Sequence, residues 1–125
     1  MIFTIPGEPV PKLRARIVQR GGKAWGYPPQ RSKEYADMVK LLLKNMWQRG
    51  IIAKIEKPRR VNLALRFYLS SKPTSVPDIV NLAAQIADCL TGFCYDDDRQ
   101  ITHLLCQKLK GSTRPRVVIS VKEDK

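Results

Sequence analysis

Residues 60–69 alternate with a period of two: Val61, Leu63, Leu65, Phe67 and Leu69 fall on one side, Asn62, Arg66 and Tyr68 on the other. That pattern specifies a half-buried strand, and a half-buried strand needs an apolar layer to cover it. Two segments can supply the cover. Ser32 reads as the N-cap of a helix running to about Arg49 and stopped by Gly50, with Tyr35, Val39, Leu42, Leu43, Met46 and Trp47 at helical spacing. Asp78 caps a second helix to about Thr91, closed by Gly92, whose apolar face is Ile79, Leu82, Ala83, Ile86 and Leu90. Strands are expected at residues 1–5, 14–20, 100–109 and 115–122, which gives the order β-β-α-β-α-β-β. The chain of 125 residues should form one α+β domain, 1–125, with a small mixed β-sheet and two helices packed on one face.

Charge is divided unevenly along this scaffold. From residue 73 to residue 98 there is no Lys or Arg, yet Asp78, Asp88, Asp96, Asp97 and Asp98 all lie there. The formal charge of +12 therefore splits into −5 inside that window and +17 outside it. A basic exterior suits a polyanion such as nucleic acid. An acidic pocket within it would repel phosphate unless divalent cations stood between the two. That layout is the one a metal-dependent nuclease uses. No apolar run approaches the ~20 residues of a membrane span, so no membrane partner is expected. The opening Met1-Ile-Phe-Thr-Ile-Pro6 is too short, and lacks the basic leader, for a signal peptide. Cys89, Cys94 and Cys106 are an odd number of cysteines, which fits reduced thiols and a soluble cytoplasmic protein.

Asp78 stands where a loop hands over to the second helix, and Asp96 to Asp98 stand just beyond its end. The two groups are expected to converge if the chain doubles back after Gly92, with the following strand antiparallel to the helix. Converged carboxylates could share Mg²⁺, which keeps its remaining positions for water and phosphate. Plainer roles compete: Asp78 as an N-cap only, and the three consecutive aspartates as a solvated turn. Asp88 reads as a surface residue. An EF-hand is excluded, because after Asp96 there is neither a Gly at the sixth position nor a Glu at the twelfth. Cys89, Cys94, His103 and Cys106 offer a zinc alternative with irregular spacing. The lone histidine, His103, is expected to pack within a strand.

On the basic side, Lys12, Arg14 and Arg16 alternate along an extended, proline-stiffened segment, like teeth of a comb against a phosphate backbone. Arg20 and Lys23 continue the charge, and Trp25 and Tyr27 are candidates for stacking on unpaired bases. Arg59, Arg60, Lys108, Lys110, Arg114 and Arg116 are further candidate phosphate contacts.

Three stretches carry a resemblance: Pro77-Asp78-Ile79-Val80-Asn81-Leu82, then Asp88-Cys89-Leu90-Thr91-Gly92, then Tyr95-Asp96-Asp97-Asp98-Arg99-Gln100-Ile101. In this order they resemble the RusA family of Holliday junction resolvases of bacteria and their phages. The N-terminal run Ile5-Pro6-Gly7-Glu8-Pro9-Val10-Pro11-Lys12-Leu13-Arg14-Ala15-Arg16 is similar to the opening of many members. The resemblance implies a homodimeric endodeoxyribonuclease that cuts four-way DNA junctions with paired symmetric nicks. It implies Mg²⁺, for which Mn²⁺ can substitute, and the cytoplasm of a bacterial or phage-infected cell. It carries the catalytic and metal-binding roles to Asp78 and Asp98, with Asp97 beside them, and gives a DNA-facing asparagine as Asn81. Two positions depart: the family's middle aspartate falls on Val80, and a lysine four residues later falls on Ala84. The paired change to apolar residues leaves open a second reading, a junction-binding protein that cuts weakly or not at all. A basic RNA-binding protein is a third, which would leave the acidic window without a purpose.

Overall fold

The computed structural model describes residues 1–13, 29–71 and 76–125. Within them run β1 (Ile2–Pro6), α1 (Pro29–Gln48), β2 (Arg60–Tyr68), α2 (Ile79–Leu90), a 3-10 turn at Asp98–Gln100, β3 (Ile101–Leu109) and β4 (Arg116–Asp124). The strand expected at 14–20 lies outside the described residues, as do Arg14, Arg16, Arg20, Lys23, Trp25 and Tyr27. The fold is α+β, as the alternation required.

The four strands form one sheet in the order β1-β4-β2-β3. β4 pairs antiparallel with both β1 and β2, whereas β2 and β3 run parallel. Parallel neighbours need a crossover, and α2 provides it. Every second residue of β2 and β4 is buried, from Val61 to Phe67 and from Val117 to Val121. These side chains join Phe3 and Ile5 of β1 under the two helices.

α1 begins at Pro29 instead of Ser32. Proline suits a first helical turn, because its missing N–H would have had no intrahelical partner. Ser32 is thereby buried, and its hydroxyl accepts hydrogen bonds from the Leu13 amide (3.3 Å) and Gln85 Nε2 (3.1 Å). It ties the N-terminal segment to both helices rather than capping one of them. The stripe of α1 buries Tyr35, Val39 and Leu43, but Trp47 in its last turn is exposed. Gly50 closes that helix with a positive φ of 72°, a conformation that costs glycine no Cβ clash.

Candidate active site

The carboxylate of Asp78 caps α2 as expected, accepting from the Val80 amide at 2.7 Å, and the residue remains exposed. α2 then runs for 12 residues, or about 18 Å. The chain turns at Gly92, whose φ of 92° lets its amide reach the Tyr95 carbonyl at 2.7 Å. The Tyr95 hydroxyl donates to the Ala87 carbonyl (2.6 Å), which pins the acidic turn beneath the last turn of α2. Burial pushes the Tyr95 phenol far up, and the nearby Asp98 carboxylate adds to that, which places Asp98 at this C-terminal end.

The three aspartates are used differently. Asp96 accepts from the Lys57 amide (2.9 Å) and pairs with Lys54 (3.1 Å). Asp97 caps the 3-10 turn through the Arg99 amide (2.9 Å) and takes the Arg99 guanidinium at 2.8 and 3.2 Å. These hydrogen bonds hold its carboxyl well below the usual carboxylate range. Asp98 is exposed and forms no ion pair with a cation among the described residues. Of the three, it is the carboxylate most available to an incoming cation.

Gln100 holds this turn together, a role that spacing alone does not reveal. Buried, its Oε1 accepts from the amides of Asp96 (2.8 Å) and Asp97 (3.0 Å), while its Nε2 donates to the carbonyls of Ile55 and Arg59, each at 2.9 Å. Gln100→Ala strands the carbonyls of Ile55 and Arg59 and the amides of Asp96 and Asp97, all buried or partly so. It is expected to cost about 3 kcal/mol or more, read as a lower urea midpoint at unchanged m-value.

The chain does double back: β3 runs antiparallel to α2. Its far end, however, meets the start of the helix, for Lys108 Nζ donates to the Pro77 carbonyl at 3.0 Å. Asp98 stays at the opposite end. The expected convergence of Asp78 and Asp98 is therefore not made within one chain, because a helix of three turns separates them. Among the described residues no group of three or more His, Cys, Asp or Glu comes together to hold a metal ion.

The zinc alternative fails on the same ground. Cys89 and Cys94 are buried, and burial pushes their thiols up to about 11 and about 12. His103 does not pack: it is exposed, with Nδ1 3.5 Å from Asp124. The strand register sets it on the sheet face away from the helices, opposite Asn62.

Lys12, the first tooth of the basic comb, lies along α2. Its amide donates to the Asn81 carbonyl at 3.0 Å and its ammonium pairs with Asp88. Asn81 itself is exposed. Positions 81, 84 and 88 share one stripe of the helix, so Lys12 passes over the region of Ala84. Val80 is 69% exposed, and Val80, Ala83, Ala84 and Ala87 of α2 face Leu104 and Cys106 of β3 across an apolar groove of about 500 Å³.

A mixed sheet covered on one face by two helices, a strong cationic excess and an exposed carboxylate at each end of the second helix define a small nuclease-type α+β domain. Residues 6–122 match the family described as Endodeoxyribonuclease RusA, and the chain belongs to that family. The family comprises metal-dependent nucleases that act on branched DNA junctions. The chain is also similar to a Bacillus subtilis protein, the uncharacterized protein YqaN. The two are 29% identical over 135 residues, spanning 97% of this chain and 94% of that one. No helix among the described residues is long and apolar enough to cross a membrane.

Proposed function

We propose that this protein is a divalent-cation-dependent endonuclease of four-way DNA junctions, working as a homodimer in which each cation site is shared between subunits. One observation carries the reading. Two exposed carboxylates, Asp78 and Asp98, flank α2 and β3 at opposite ends, and the strip between them is apolar and uncovered among the described residues.

Among the described residues β3 is an edge strand with a single neighbour. Leu104 on it is 54% exposed beside Val80, while Leu105 and Leu109, which the register sets on the sheet face away from the helices, are 60% and 40% exposed. A long apolar edge is a surface that soluble proteins cover. A second copy approaching with its own β3 antiparallel, about a two-fold axis near Leu104 and Leu105, would cover it. That operation exchanges the two ends of the strand, so the partner subunit's Asp78 comes beside Asp98, and Asp78 beside the partner subunit's Asp98. Twofold pairing is the commonest assembly, and it suits a substrate that needs two symmetric cuts.

The donor set, two carboxylates with room for water and phosphate, suits Mg²⁺ or Mn²⁺. Such an ion would polarise the phosphoryl oxygen and provide hydroxide near neutral pH. The chain's own contributions are to aim Asp78 from the helix cap and to hold Asp98 on a turn fixed by Gln100. Asp97 keeps Arg99 in place beside it. Lys12, Arg14, Arg16, Arg20 and Lys23, together with Asn81, are the residues proposed to hold DNA.

A labelled four-way junction incubated with the protein should acquire paired symmetric nicks with Mg²⁺ or Mn²⁺ and none with EDTA. The apolar pair Val80 and Ala84 favours the second reading, a junction binder that does not cut. A gel shift without nicks at any concentration of either metal would establish that reading and remove the nuclease.

A further inference from the structure

The helices cover one face of the sheet, and among the described residues nothing covers the other. Strand alternation sets Arg66 and Tyr68 of β2 and Arg116 and Lys122 of β4 on the open face. At its centre the small side chains of Ala64 and Ser120 lie opposite one another, flanked in the register by the exposed Leu105 of β3 and Ile2 of β1. Arg116 stacks over the Tyr68 ring, 3.9 Å from its centroid, and donates to the Arg114 carbonyl at 2.9 Å, which fixes the guanidinium in place. Arg66 and Lys122 are exposed and form no ion pair among the described residues. The acid on this face, Asp124, lies at the end of β4 opposite Arg60 in the register, and its carboxylate accepts from the Thr102 hydroxyl at 2.8 Å. Arg66 and Arg116 are diagonal neighbours in the register, Lys122 lies four residues further along opposite Asn62, and among the described residues the carboxylate on this face stands at its corner. Cations spaced in this way along a sheet face are complementary to a phosphate backbone.

We propose that this open face, through Arg66, Arg116 and Lys122, is a second DNA-contact surface that takes the backbone of a duplex arm on the side of the sheet away from α2. The inference rests on the DNA reading above and deepens it. A protein that holds DNA on both sides of its sheet engages two arms of a branch at once, whereas a linear duplex can satisfy only one side. Selection of branched over linear DNA then comes from geometry rather than from base contacts. If β3 edges pair about a two-fold axis, the open faces of both subunits join into one continuous platform.

The test uses the full chain, a four-way junction and a linear duplex of the same sequence, with binding measured over a salt series in EDTA. Because cutting is not read, the result is independent of whether the carboxylates support catalysis. Arg66→Gln combined with Lys122→Gln removes two phosphate contacts. The slope of log affinity against log salt on the junction should fall by about two, and junction affinity by about tenfold or more at moderate salt. Ser120→Glu puts a negative charge at the centre of the face and should weaken junction binding to a similar degree. The duplex should lose less in both cases. Wild-type junction affinity and salt slope in both variants, each confirmed folded by its melting transition, would overturn the proposal. Equal losses on junction and duplex would overturn the two-arm selection, and a protein that binds no DNA would overturn this inference and the DNA reading together.

Discussion

Asp78→Asn and Asp98→Asn proteins, each inactive alone, are expected to regain nicking when mixed and allowed to exchange subunits. Each variant removes one carboxylate from every shared site, and losing such a stabilising group should lower the rate about a thousandfold. In a mixed dimer one site receives both asparagines. The other keeps Asp78 from one subunit and Asp98 from its partner, so it is whole. The restored product should be a junction nicked in one strand rather than in two opposed strands. Both variants should bind junction DNA at least as well as the parent, since losing a carboxylate lessens repulsion of phosphate. If each cation site were closed within one chain, mixing would restore nothing. A strand assay on denaturing gels, with single and mixed proteins at equal total concentration, distinguishes the two outcomes.

Leu104→Glu should split the proposed dimer. Leu104 lies on the uncovered edge, where α2 and β3 frame the apolar groove, and more than half of it is exposed in the isolated chain. The substitution thus leaves the monomer core intact. Across a two-fold interface the carboxylate is buried twice, and two like charges approach one another. At about 3 kcal/mol for each unpaired buried charge, dimer dissociation should rise by roughly four orders of magnitude. Sedimentation at micromolar concentration should show a dimer for the parent and a monomer for the variant, which should no longer nick because neither site is complete. Leu104→Ala, which keeps the edge apolar, should remain dimeric. A Leu104→Glu protein that stays dimeric would move the interface elsewhere.

The described elements and their order were legible because each rests on local periodicity. The alternation of Val61 to Leu69 names a strand whatever surrounds it, and the stripe from Leu82 to Leu90 names a helix. The cap at Asp78 and the turn at Gly92 were also local, depending on one side chain and one backbone angle. Contacts between distant segments were not legible. Ser32 looks like an N-cap because serine commonly is one, yet it lies one turn inside α1, bonded to Gln85 some fifty residues away. Lys12 looks free for phosphate and is found on Asp88. Gln100 looks like one more polar residue after an acidic run, yet it joins four backbone groups from two loops.

The amino-acid order by itself determined that this chain would carry an acidic window in a basic domain, with carboxylates at the start of one helix and in the turn after it. Composition and near-neighbour spacing suffice for that, because charge and capping act over a few residues. Only the tertiary structure decided that the two carboxylates stand apart. A helix advances by a fixed rise, so three turns keep its ends separate, and the strand that returns along it delivers Lys108, not Asp98, to the start.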